Sequence, residues 1–145
     1  MNKQERVFFV QKNNEGELET ESLWCSRVGS NFKIDNIPFI AKRVSLNDII
    51  KAEFDPDDNV FYFDDFVAVS GNTTVRLFFK ELSLIESSRQ LLSKFDCESE
   101  VLLQKKIVAV NIPQKVKYKP IKDFLDKGEQ AGQWVYEEAC LAHEY

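Results

Sequence analysis

The feature that most constrains the fold is a change of hydrophobic rhythm at Ser70-Gly71-Asn72. Before it, apolar residues recur at every second position in short runs separated by turn formers. After it, such runs alternate with stretches of helical spacing. A period of two places successive side chains on opposite faces of a strand, and a period near 3.6 gathers them on one face of a helix.

In the first half, ERVFFVQK (5–12), ETESLWCSRV (19–28), FKIDNIPFIA, IIKAEF (49–54) and NVFYFDDFVAV (59–69) read as strands. NNEGELE, Gly29-Ser30-Asn31 and DPDDN read as turns, the last because Pro56 presets φ and Asp and Asn accept local backbone bonds. Pro38 cannot donate to a ladder, so the third run is expected to bend or lie at an edge there. Ser45 is placed to cap one helical turn over LNDII, with Asp48 near its N-terminus. Residues 1–71 are thus expected to form a small β-barrel or a bent antiparallel sheet.

In the second half, TTVRLFFK (73–80), CESEVLLQ (97–104), KIVAVNIP (106–113) and WVYEEACL (134–141) read as strands. IESSRQLLSKF (85–95) carries Ile85, Leu91, Leu92 and Phe95 on a helical face, with Ser87 or Ser88 near its start. YKPIKDFLDKGEQ (118–130) carries Ile121, Phe124 and Leu125, with Pro120 in its first turn and Gly128 or Gly132 as its stop. Strand, helix, strand, strand, helix, strand is the ferredoxin-like order. The reading is α+β: residues 1–71 form the barrel-like half, packed as one unit on a ferredoxin-like βαββαβ half over 72–145.

The 145 residues are 43% hydrophobic, with twelve Phe against one Met, enough for a sizeable aromatic core. No apolar run approaches the roughly 20 residues of a membrane span. MNKQERVFFVQK lacks an apolar stretch of secretory length, so no signal peptide is expected. Three cysteines at wide spacing fit reduced thiols and a cytoplasmic location. A net charge of −5 disfavours nucleic acid as a partner and favours a basic protein.

Three stretches, SLWCSRVGSNFKIDNIPFIAKRVSLNDIIKAE, SGNTTVRLFF and GQWVYEEACLAH, stand in the order found in the bacterial proteins grouped as domain of unknown function 4265. From about Leu23 to His143 the chain resembles that family. The resemblance implies gene neighbourhoods of toxin–immunity type for some members and assigns no functional residue. Where the family is expected to carry a histidine, this chain has Asn72, so a role resting on that histidine does not transfer.

The closing stretch GQWVYEEACLAHEY gathers Cys140 and the single histidine, His143. A structural zinc site wants a second ligand pair, and Cys25 and Cys97 stand alone. Three residues apart on a strand, Cys140 and His143 point to opposite faces, which argues against a thiolate–imidazole pair. Trp134, Tyr136, Glu138 and Cys140 are expected on one face, Val135, Glu137, Ala139 and Leu141 on the other, and His143 in a fraying end. No G-x-S-x-G elbow and no glycine-rich phosphate loop occurs. A carboxylate pair for glycoside chemistry stays open, with solvated turns the default reading of the acids. No catalytic residue, cofactor or metal is expected. Base stacking, as in RNA-recognition domains, would use Phe78 and Phe79, beside a basic patch of Lys105, Lys106, Lys115, Lys117 and Lys119. The third strand, KIVAVNIP, offers no second aromatic platform.

The remaining lead is acidic. EFDPDDNVFYFDD (53–65) holds six acids and no base, and EGELETE (15–21) holds four acids. Glu53, Asp55, Asp57, Asp58, Tyr62, Asp64 and Asp65 are the candidate partner-binding residues, with Tyr62 and Asp64 on one strand face and Phe61, Phe63 and Asp65 on the other. The plain alternative is a solubilising turn. The function expected is non-enzymatic binding of another, basic protein, an immunity protein against a toxin being the specific form. The alternatives are a regulatory domain holding a small ligand between the halves and, third, an RNA-binding protein or an unrecognised enzyme.

Overall fold

The computed structural model describes residues 4–144. The chain divides into two compact units, one ending at Ser70 and one beginning at Gly71. It is an α+β chain, mostly strands in two sheets with two helices.

The first unit contains β1 (Gln4–Lys12), β2 (Leu18–Val28), β3 (Asn31–Ile34), β4 (Ile49–Asp55) and β5 (Val60–Ala68). Each strand pairs antiparallel with the next, and β5 returns to β1 in parallel, so the sheet closes on itself. The β1–β2 hairpin forms because the Asn13 side chain accepts the amides of Glu15 and Glu17, while Gly16 takes φ 81°. Inside the ring, Val7, Leu23, Cys25, Phe32, Ile34 and Ile50 are buried. At about 25 cal/mol per Å² of apolar surface, this burial is the main term holding the ring closed.

Two expectations fail here. The third strand stops at Ile34 instead of running on through Pro38, because side chains capture the backbone that follows. The Glu21 carboxylate accepts the amides of Phe39 (2.8 Å), Ile40 (2.9 Å) and Ala41 (2.8 Å). Nor is there a helical turn after Ser45. Asn47 adopts φ 71°, and the buried Asp48 carboxylate accepts the amides of Ser45 and Ser70. Asp and Asn bond local backbone in competition with helix, and here that competition wins.

The second unit runs β6 (Thr73–Phe79), α1 (Ile85–Lys94), β7 (Glu98–Leu102), β8 (Ile107–Ile112), α2 (Tyr118–Gln130) and β9 (Trp134–Cys140). Its sheet has the order β7-β8-β6-β9, all neighbours antiparallel. One face carries the core: Val75, Leu77, Phe79, Val108, Val110 and Ile112 from the sheet meet Ile85, Leu92, Tyr118, Ile121 and Leu125. Leu91 and Phe95, expected on the buried stripe of α1, are 45% and 37% exposed. Neither Ser87 nor Ser88 caps α1; both hydroxyls donate back to the Leu84 carbonyl.

Gly128 does not end α2. It lies inside the helix, where the Trp134 ring covers it, and the Trp134 indole N–H donates to the Leu125 carbonyl (3.1 Å). Gly132, at φ 76°, follows the helix end. Each helix also reaches a sheet margin. Arg89 donates from Nη2 to the Ser99 carbonyl (3.0 Å) and from Nε to Ser99 Oγ (2.9 Å). Glu129 accepts the Tyr136 amide (3.0 Å).

Candidate functional site

The acidic candidates lie on the β4–β5 hairpin and divide by role. Asp55 is structural: its Oδ1 accepts the amides of Asp57 (2.9 Å) and Asp58 (3.2 Å), and its carbonyl accepts the Asn59 amide (2.7 Å). Asn59 takes φ 58° to finish the turn. Glu53, Asp57, Asp58, Asp64 and Asp65 are exposed. Glu53 stands opposite Tyr62 in the ladder. The Tyr62 hydroxyl donates to Asp58 Oδ2 at 2.7 Å, and this bond holds the phenol above its ordinary value.

Strand alternation misplaces the last two acids. Phe63 pairs with Ala52 and Asp65 with Lys51, so Asp64 is an inserted bulge residue. A second insertion falls at Val67, between Phe66 opposite Ile50 and Ala68 opposite Ile49. Each bulge adds one residue and reverses the parity beyond it. Asp65 therefore joins the face of Tyr62 and Glu53, while Phe66 turns to the core with Phe61 and Phe63. The cluster is also not without a base, since Lys51 stands directly across from Asp65.

Sequence reasoning missed the exposed apolar side chains elsewhere on the hairpin and just beyond it. Phe54 is 50% exposed, Val67 46% and Val69 72%. Lys51 was legible two residues before the acidic run; the exposure of the three apolar side chains depends on where the ring closes.

In the second acidic run Glu15 and Glu17 are exposed, whereas Glu21 is occupied by three backbone amides. A carboxylate bonded in this way is a clasp for the 39–41 segment.

The closing stretch is ordered by Thr73. Its Oγ1 accepts the amides of Ala142 (3.0 Å) and His143 (3.2 Å) and lies 2.6 Å from His143 Nδ1. His143 Nε2 lies 2.9 Å from the Pro113 carbonyl, and the ring sits against Tyr118 with centroids 5.7 Å apart. One tautomer satisfies every contact: the Thr73 hydroxyl donates to Nδ1, and Nε2–H donates to Pro113. His143 is thus a docked residue, not a frayed one.

A bulge also relocates Cys140. Val75 pairs with Glu138 and Thr74 with Cys140, so Ala139 is inserted and Cys140 leaves the face of Trp134, Tyr136 and Glu138. Cys140 and His143 end on opposite sides of the sheet. Burial pushes the Cys25 and Cys97 thiols up to about 12, which makes them poor nucleophiles. Among the described residues, no group of three or more His, Cys, Asp and Glu could hold a metal ion. Nor is any helix among them long and apolar enough to cross a membrane.

Along α2 and β9 a polar row forms. Tyr118 donates to Glu138, Lys122 pairs with Glu138 (3.3 Å), and Tyr136 donates to Asp126. Hydrogen bonding, led by Tyr136, raises the Lys122 ammonium above its ordinary value, fixing it as a cation. Of the two stacking candidates, Phe79 is 5% exposed and packs on Trp134 (5.4 Å), leaving Phe78 half-buried. In the basic patch, Lys119 is paired with Asp123 at 2.7 Å.

A family model described as Domain of unknown function (DUF4265) matches residues 21–136. Among solved structures, the chain is similar to a hypothetical protein from Neisseria gonorrhoeae, at 25% sequence identity and a TM-score of 0.83, over 99% of this chain and 99% of that one. No curated protein matches the chain.

Proposed function

The chain belongs to the family of domain of unknown function 4265, and from that premise we propose that it is a non-enzymatic cytoplasmic protein that binds another, basic protein. The observation carrying this reading is the β4–β5 hairpin, where Tyr62 shares one face with exposed Glu53 and Asp65, and exposed Asp57, Asp58 and Asp64 extend the acidic surface. Interfaces combine apolar anchors with a polar rim, and charge complementarity speeds encounter. Tyr62 supplies the anchor; the acids supply the field. A toxin domain is one partner of this chemistry, with the chain as its immunity protein. We read the closed first sheet as a small barrel that presents the hairpin, and the second unit as ferredoxin-like.

Affinity capture from the native host, followed by association kinetics against salt, tests the reading. With a captured basic protein, the wild-type rate falls steeply as salt rises. The Asp57→Asn, Asp58→Asn, Asp64→Asn, Asp65→Asn variant associates more slowly with a shallower salt slope. Each exposed pair contributes only about 0.2–1 kcal/mol, so the four are changed together. Coincident curves, or a partner that is itself acidic, reject the hairpin as the binding surface.

A further inference from the structure

The closure of the first sheet leaves a gap. β1 and β5 pair in parallel at only two positions among the described residues, Val7 with Phe61 and Phe8 with Tyr62. Beyond them β5 carries the Asp64 and Val67 bulges and diverges from β1. The gap opens into a cleft of about 380 Å³, walled by Phe9, Phe63 and Phe66 and bordered by Lys42 and Arg43. The walls are rigid aromatic surface: Phe9 and Phe63 stack at 5.0 Å, and Phe63 and Phe66 meet edge to face at 5.2 Å.

The cationic border is held in place. The Gln11 side chain donates to the Ile40 carbonyl (2.8 Å) and accepts the Lys42 amide (3.1 Å), while Glu21 fixes the three amides before it. Lys42 and Arg43 are exposed, and among the described residues neither forms an ion pair. Among the described residues, those lining the cleft include these two cations and no carboxylate, on a chain whose net charge is −5. An apolar pocket with a few convergent polar groups is the usual form of a small-molecule site, and a fixed border lowers the ordering cost of binding.

We propose that this cleft binds a small amphipathic monoanion, its apolar body between Phe9, Phe63 and Phe66 and its carboxylate or equivalent head at Lys42 and Arg43. The site shares only Tyr62 with the acidic hairpin surface and stands whether or not a protein partner is found.

Titration of the full chain with decanoate and with 2-naphthoate, followed by amide chemical shifts, is the test. Either anion shifts the amides of Phe9, Gln11, Lys42 and Phe66 saturably. The Lys42→Gln, Arg43→Gln variant changes only exposed side chains; it weakens that binding about fivefold, the size expected of two exposed charge contacts. Decanol and 2-naphthalenemethanol bind the wild type more weakly and do not distinguish it from the variant. Three results overturn the proposal: no saturable shift with either anion, equal affinity for acids and alcohols, or a response only to an extended uncharged peptide, which assigns the gap to strand addition.

Discussion

Gly128 shows how one residue's size is dictated by its neighbour. A Cβ placed there would lie 1.9 Å from Trp134 Cζ2, in a core where Trp134 is 2% exposed. Alanine would gain about 1 kcal/mol in helix propensity. The clash is larger, because the indole is held by its bond to Leu125 and cannot retreat. Gly128→Ala is expected to lose about 1–3 kcal/mol net in chemical denaturation, the usual cost of overpacking. A stabilised variant would mean that α2 slides freely over β9.

At the scale of elements, the last strand and the segment after it form one unit through Thr73. Thr73→Val keeps the shape and removes one hydroxyl that meets three groups of Ala142 and His143. The expected loss is about 1–3 kcal/mol, with faster amide exchange at Ala142 and His143 and little change at Val108 and Val110. Unchanged exchange at Ala142 would show that the Pro113 bond and the Tyr118 ring contact dock the end without Thr73.

Element order was legible in the sequence because each run states its own period, from TTVRLFF to WVYEEAC. Parity beyond a bulge was not. Asp65 and Cys140 sit on faces that alternation assigns to the opposite side, because an inserted residue is visible only once the partner strand is known. The segment after Ile34 was hidden for a related reason: its three amides are satisfied by Glu21, eighteen to twenty positions earlier. For the candidate site, the acids and Tyr62 could be read directly, whereas the apolar exposure elsewhere on the hairpin and the cleft behind β5 follow from ring closure.

For the whole molecule, stability should fall on the alkaline side. Cys25 is 0% exposed and Cys97 3%. Burial first, and then Asp35 for Cys25 and Asp96 for Cys97, push both thiols from an ordinary 9.0 to about 12. A group raised on folding gives stability that is complete below its unfolded value and is lost as pH climbs through the folded one. The melting temperature is therefore expected to decline from about pH 9 toward pH 12. Tyr62 and Tyr136, also raised, act in the same direction. A Cys25→Ala, Cys97→Ala chain should show a shallower decline from a lower starting stability. An identical slope would shift the cause to the tyrosines and lysines.

The helix-to-margin bonds of the second unit bear on solubility. β7 and β9 are the outer strands of their sheet, and an outer strand offers unpaired backbone groups to any passing chain. Arg89 occupies the Ser99 carbonyl on one border and Glu129 the Tyr136 amide on the other. Each helix thus posts one charged side chain as a guard against intermolecular strand pairing. The border of β9 has most need of one, since Val135 is 54% exposed. An Arg89→Ala, Glu129→Ala chain is expected to keep its circular dichroism spectrum yet form dimers and larger species as concentration rises in sedimentation velocity. If it stays monodisperse wherever the wild type does, strand twist alone keeps these borders apart.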